Sequence, residues 1–162
     1  MNIEYIEHET ILNGEGIRCV VWTSGCNHHC PGCQNPETWN PKSGHAFNAD
    51  DLKELYKVLE NPYISGVTFS GGDPLHPANV NEVTALAEKL KKDFPNKTIW
   101  LYTGYEWEEV EKLEIMSYVD VAIVGKFILK LLDVKYPWAG STNQRVIDVN
   151  KTRKNGEVVL YE

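Results

Sequence analysis

Cys26, Cys30 and Cys33 stand in the run Cys26-Asn27-His28-His29-Cys30-Pro31-Gly32-Cys33, a C-x3-C-x2-C spacing that lets one loop present three thiolates to a single inorganic cluster. Thiolates are the ligands iron–sulfur clusters require. A four-iron cubane held by three cysteines keeps one iron free of protein, and that open corner suits chemistry on an exogenous ligand better than plain electron transfer. The same spacing admits a structural zinc site of Cys3His type, with His28, His29 or His45 as fourth ligand, and it also admits unrelated core cysteines. Cys19 stands apart in an apolar run and reads as a small core hydrophobe. His28 and His29 read as solvent-facing residues between ligands.

A second candidate segment is Ser70-Gly71-Gly72-Asp73-Pro74-Leu75-His76-Pro77. Its glycines permit close backbone approach, and Asp73 offers a carboxylate to a cation such as an amino-acid ammonium. An ordinary strand-to-helix turn is the competing reading. Phosphate binding fits poorly, because the P-loop lysine and hydroxyl are missing and Asp73 repels an anion. Tyr102-Thr103-Gly104-Tyr105 supplies hydroxyls, a close-approach glycine and aromatic faces for a nucleoside, or equally packing residues. Trp138 to Arg145 is a polar segment suited to a lid, a partner contact or a solvated loop.

These segments need elements to position them. Arg18–Thr23, Gly66–Ser70, Thr98–Tyr102 and Val119–Val124 are rich in β-branched and aromatic residues and read as strands, with Gln144–Val149 a weaker fifth. Between them, Ala49–Glu60 carries Leu52, Leu55, Tyr56 and Leu59 on one helical face behind an Asn48 N-cap. Asn79–Lys92 places Val83, Leu86, Ala87 and Leu90 inward, with Asn79 and Glu82 at capping-box spacing. Glu106–Met116 is a third helix candidate, and Val158–Tyr161 reads as an edge strand or a disordered tail. Alternating strands and helices imply right-handed βαβ units in an α/β fold. A closed eight-stranded barrel takes about 250 residues. The expectation is therefore a single domain over residues 1–162, built as a partial (β/α) barrel with a mostly parallel open sheet of five to six strands. Ligands bind outside the carboxyl ends of such strands, where Ser24–Phe47, Gly71–Ala78 and Thr103–Tyr105 fall.

The chain has 162 residues, 42% of them hydrophobic, enough for one substantial core. Its formal net charge of -7 argues against nucleic acid or an anionic membrane surface as partner. The first ten residues carry Glu4, Glu7 and Glu9 in place of a signal peptide's basic-then-apolar order, and no run of about 18 apolar residues occurs. A cytoplasmic location, with reduced cysteines, is expected.

Taken together and in order, Asn13-Gly14-Glu15-Gly16-Ile17-Arg18, the cysteine run, the Ser-Gly-Gly-Asp-Pro loop, Tyr102-Thr103-Gly104-Tyr105 and Gly140-Ser141-Thr142-Asn143-Gln144-Arg145 resemble the radical S-adenosylmethionine superfamily. More narrowly they resemble its subgroup that activates anaerobic ribonucleotide reductases. The resemblance runs from Asn13 to about Asp148. It implies a [4Fe–4S] cluster on Cys26, Cys30 and Cys33, with S-adenosylmethionine chelating the fourth iron. By the same resemblance Ser70, Gly71, Gly72 and Asp73 form the loop at the methionyl ammonium, and Gly32, Cys33 and Gln34 with Tyr102, Thr103 and Gly104 face the nucleoside. Many superfamily members carry an aromatic residue where this chain has Gly32, and a glutamate where it has Asp73, the latter being usual in the subgroup. The implied partners are a reductase that bears the target glycine and an external one-electron reductant. Activation of another glycyl-radical enzyme, such as pyruvate formate-lyase, is the neighbouring reading. A zinc-stabilised binding module is the reading from a different class.

Overall fold

The computed structural model describes residues 1–162. Seven strands form one open sheet: β1 (Asn2–Thr10), β2 (Ile17–Thr23), β3 (His45–Ala46), β4 (Ile64–Gly71), β5 (Thr98–Thr103), β6 (Val121–Val124) and β7 (Arg145–Asp148), in the order β3-β1-β2-β4-β5-β6-β7. The central strands β2, β4, β5 and β6 run parallel, while β1, β3 and β7 join antiparallel. Four helices accompany them: α1 (Ala49–Leu59), α2 (Val80–Asp93), α3 (Trp107–Val110) and α4 (Val149–Asn155).

The strand count exceeds the expected five to six because both β1 and the two-residue β3 are hidden in the sequence. Glu4, Glu7, His8 and Glu9 give β1 a polar composition, and a register irregularity between Ile3 and Tyr5 breaks the period of two that marks a strand. Its buried Ile3 and Ile6 nevertheless anchor one face in the core. The five strands expected from the sequence are all present, and Leu160 of the tail bridges Ile147 at the outer edge of β7.

Asn48 caps α1 as expected, accepting from the Asp50 and Asp51 amides while Asp51 accepts from the Asn48 amide. Asn79 does not cap α2. Its amide nitrogen donates instead to the Ser24 and Asp73 carbonyls, at 2.8 and 3.0 Å, tying two loops together. The expected helix over Glu106–Met116 is broken into the single turn α3 and a 3₁₀ turn at Glu114–Ser117. The reason is geometric: at roughly 100° per residue a continuous helix would put Met116 opposite Trp107, whereas both side chains are buried. α4 was not anticipated; Asp148 caps its start and Gly156, at φ 76°, ends it.

Alternation along the strands divides the sheet into two faces. One face carries Cys19, Val21, Val67, Phe69, Ile99, Leu101, Ala122 and Val124, packed with Leu55 and Leu59 of α1 and Val83, Leu86, Ala87 and Leu90 of α2. Helix propensity over these short segments is weak, so burial against the sheet is what holds them. The other face carries Arg18, Trp22, Thr68, Ser70, Trp100 and Tyr102. Trp138 and Tyr161 pack edge-on against Trp100 there, each at 5.1 Å. No helix is long and apolar enough to cross a membrane.

Candidate cluster and cofactor site

The parallel strands deliver their following loops to one end of the sheet, and the loops are sewn to each other by backbone bonds. The Gly72 amide donates to the Thr23 carbonyl at 2.8 Å and the Asp73 amide to the Gly25 carbonyl at 2.7 Å. The Gly25 and Cys26 amides donate in turn to the Thr38 and Trp39 carbonyls. A Cβ on Gly72 would lie 2.5 Å from the Gly25 oxygen, and one on Gly71, at φ 109°, 2.4 Å from the Thr23 oxygen. The two glycines thus admit close approach of the chain to itself.

A cavity of about 620 Å³ opens at this end of the sheet. Cys26, Cys30 and Cys33 all line it, together with Gln34, Ser70, Gly71, Gly72, Tyr102, Thr103 and Gly104. Of the residues expected at the site, only Gly32 and Asp73 are outside this lining, Gly32 exposed and Asp73 buried. Gly32 sits under Leu129, whose side chain a Cβ would meet at 3.1 Å.

Asp73 is 1% exposed, and its carboxylate is fully engaged. Oδ1 accepts from the Leu75 amide at 2.9 Å and Oδ2 from the Gly104 amide at 3.0 Å. The Thr103 hydroxyl lies 3.0 Å from both oxygens, and His28 Nε2 is 2.7 Å from Oδ2. A direct bond to an ammonium would have to displace one of these donors. Asp73 therefore joins the cysteine loop to the end of β5, through His28 on one side and Thr103 and Gly104 on the other.

The histidines correct the sequence reading. His28 is not solvated: its side chain is 9% exposed, and its ring meets Tyr105 edge-on at 4.6 Å. His29 is exposed but stacks on Trp39 at 4.5 Å, and His45 Nε2 lies 2.9 Å from Asp51 Oδ1. His28 and His45 are thus paired with carboxylates and His29 lies against an aromatic ring, and no group of three His, Cys, Asp or Glu side chains, the cysteines included, is placed to hold a single ion. Cys19 is fully buried in the helix-covered face, its thiol 3.6 Å from the Gly66 carbonyl, as a core residue should be.

The remaining donor set fits a cluster. Three free cysteines line one roomy cavity, and the Asn35 amide lies 3.4 Å from Cys33 Sγ, placed to stabilise a thiolate. Burial raises the Cys26 thiol pKa above its ordinary value, so binding there must displace a proton.

The segment Trp138–Arg145 closes one side, with Trp138, Ala139, Gly140 and Gln144 in the lining. Gln144 fixes it: Oε1 accepts from the Gly140 and Ser141 amides, and Nε2 donates to the Gly125 carbonyl at 2.9 Å. The Tyr102 hydroxyl donates to the Trp138 carbonyl at 2.5 Å, which occupies a group expected to face a nucleoside. Sequence reasoning missed Glu7, Ile11, Leu12, Trp22, Phe127, Val134 and Tyr136, which also line the cavity. Trp22 carried a signal, being the last aromatic residue of a strand that leads into the cysteines; the others lie on β1 or on irregular chain.

The 4Fe-4S single cluster domain family matches residues 12–147. An anaerobic ribonucleoside-triphosphate reductase-activating protein of Enterobacteria phage T4 is 45% identical over 146 residues, covering 90% of this chain and 93% of the relative. Proteins of the same name from Haemophilus influenzae and Escherichia coli K12 are 40% identical over 138 residues and 37% identical over 150. The shares covered are 83% of this chain and 89% of the relative for the first, and 90% and 97% for the second.

Proposed function

This chain belongs to the family of anaerobic ribonucleoside-triphosphate reductase-activating proteins and carries its 4Fe-4S single cluster domain, and from that premise we propose that it is a radical S-adenosylmethionine enzyme, one domain over residues 1–162, that installs a glycyl radical on the reductase. The observation that carries the reading is the meeting of three thiols and two glycine-bearing strand ends on one cavity. Cys26, Cys30 and Cys33 would hold the cluster, which, given one electron by an external reductant, would supply the electron for splitting S-adenosylmethionine into methionine and a 5′-deoxyadenosyl radical able to take a hydrogen atom from a glycine.

The chain's own residues bind, orient and shield. Ser70, Gly71 and Gly72 offer backbone and hydroxyl groups to the methionyl end. Gln34, Cys33 and the Tyr102–Gly104 edge face the nucleoside, with Gly32 shaping the turn behind them. Asp73 serves the site from behind, holding His28, Thr103 and Gly104 in register so that the cysteine loop and the end of β5 keep a fixed separation. Trp138 and its loop exclude water from one side. The hard chemistry is the cofactors', and the protein supplies position and environment.

The test is anaerobic. The protein is reconstituted with iron and sulfide, reduced with dithionite and given S-adenosylmethionine, and 5′-deoxyadenosine is quantified for wild type and Cys30→Ala. Formation by the wild type alone, with a glycyl radical on added reductase, supports the reading. A fully loaded, reduced wild type that forms none in the presence of reductase overturns it.

A further inference from the structure

Between β6 and β7 the chain runs through residues 125–144 with only a 3₁₀ turn at Leu129–Leu131. Connections of that length in a compact domain usually serve a function. This one leaves large apolar side chains in solvent: Val134 is 91% exposed, and Ile128, Leu129, Leu131 and Leu132 are between 41% and 53% exposed. The strip borders the cavity. At one end Leu129 lies against Gly32 of the cysteine loop, and at the other Val134 lines the cavity together with Ile11 and Leu12, which are themselves 70% and 76% exposed.

The exposure is built into the fold and does not come from a fraying loop. The buried Ser141 hydroxyl accepts from the Ile128 amide at 3.1 Å, the Thr142 amide donates to the Leu131 carbonyl at 2.9 Å, and Leu132 bridges Ser141. The backbone is thus pinned from the inside while the side chains face out. Soluble monomers keep exposed apolar side chains scattered, and a contiguous group marks a contact surface. Charge adds a second observation. Lys126, Lys130 and Lys135 interleave with the strip, are exposed, and take part in none of the chain's ion pairs, on a chain of net charge -7. Apolar side chains edged with unpaired cations fit a protein surface that is apolar and edged with carboxylates.

We propose that the strip from Ile128 to Val134, with Ile11 and Leu12 across the mouth, is the surface on which the reductase docks so that its glycine segment enters between the two rims. The choice of the reductase as occupant rests on the function proposed above, which requires a glycine of a second protein to reach this cavity. A second copy of this chain on the same strip would cover the mouth that the glycine must pass, whereas a docked reductase brings the glycine to it.

The experiment measures the Kd of the whole reductase for cluster-loaded wild type and variants by biolayer interferometry. Leu131→Gln/Leu132→Gln removes apolar contact at two exposed positions that do not line the cavity, and Lys130→Glu/Lys135→Glu reverses the edge charge. Leu113→Gln, an exposed leucine outside the strip, is the control. The leucine variant should weaken binding by about tenfold or more. The lysine variant should weaken it several-fold at low salt and less at high salt, and the control should stay within about twofold. Both strip variants should keep the wild-type circular dichroism spectrum and form 5′-deoxyadenosine without reductase as the wild type does, which separates docking from chemistry. Affinities of both variants within about twofold of wild type, or a wild type that binds no reductase, would overturn the proposal. So would a wild-type dimer in sedimentation equilibrium that the leucine variant dissolves while reductase affinity holds, since the strip would then be a face between copies of this chain. A wild type that binds reductase through the strip yet forms no 5′-deoxyadenosine would sink the proposed function and leave the docking surface standing.

Discussion

The Arg18 guanidinium lies over the Trp100 ring, 5.3 Å from its centre, and no carboxylate pairs with it. It is buried, and it donates five hydrogen bonds, to the Thr68 and Thr98 hydroxyls and to the Glu15, Val67 and Thr98 carbonyls. Thr68 passes its own proton to the Asn13 carbonyl at 2.7 Å. A charge on β2 is thus stabilised by neutral acceptors and an aromatic face, and it fastens the loop before β2 to the sheet.

Arg18→Met fills much of the same volume but strands these acceptors. Unsatisfied buried carbonyls cost about 1–3 kcal/mol each at most, and some will find water, so a net loss of about 2–4 kcal/mol is expected. For a chain of this length that is a fall in Tm on the order of 5–15 °C. Thermal unfolding by circular dichroism decides it, and an unchanged Tm would show that the network carries no net stability.

The cysteines should separate by reactivity. Burial pushes the Cys19 thiol up to about 12 and raises Cys26 in the same direction, and the thiolate is the nucleophile. Alkylation of cluster-free protein at pH 8 should give adducts at Cys30 and Cys33 first, Cys26 later and Cys19 only after unfolding, as read by mass spectrometry. There is a matching effect on stability. Between 9, the ordinary value, and about 12 the folded state keeps a Cys19 proton that the unfolded chain has lost. Cys19 therefore makes stability fall as pH rises through that window, and Cys19→Ala should flatten the alkaline decline. Early labelling of Cys19 in native protein would contradict its place in the core.

Asp73→Asn puts an amide donor against donors already in place. His28, Thr103 and the Leu75 and Gly104 amides cannot all be satisfied by one carbonyl oxygen, and a cost of about 2–4 kcal/mol is expected. His28→Ala should cost less, about 1–3 kcal/mol, since it removes one donor and leaves three. Denaturant titrations give both values, and a reversed order would mean that His28 is the stronger tie.

Gly72→Ala and Gly104→Ala differ in what stands in the way. At Gly72 the new methyl meets backbone oxygens of Gly25 and Thr38, at 2.5 and 2.8 Å, which cannot yield. At Gly104 it meets the His28 ring at 2.4 Å, and a side chain can swing aside at the cost of its bond to Asp73. Gly72→Ala should therefore express poorly or lose several kcal/mol, whereas Gly104→Ala should fold with the smaller penalty expected for His28→Ala. Equal losses would mean that His28 is not free to move.

The parallel core and the site loops were legible because they follow simple periodicities. Val83, Leu86, Ala87 and Leu90 recur at helical spacing and are all buried, and the strands Arg18–Thr23 and Thr98–Tyr102 are plain apolar runs. The cysteine run announced itself by type and spacing. What stayed hidden depends on long-range pairing. β1 is a strand only because β2 lies beside it, and the inward turn of Asp73 is set by donors at His28 and Thr103, 45 and 30 residues distant. Local sequence showed a free carboxylate after two glycines; only the fold shows which donors reach it. The same holds for Glu7, which looks like one more surface acid until β1 carries it beside Trp22.

The backbone stitching of Gly25, Gly72, Asp73, Thr38 and Trp39 has a thermodynamic consequence for binding. These segments are ordered by bonds to one another and need no ligand to align them, so their conformational entropy is lost on folding and not again on association. The receptacle is preorganised. Variants that loosen the stitching should accordingly lose affinity through a less favourable entropy, with the enthalpy of each remaining contact little changed.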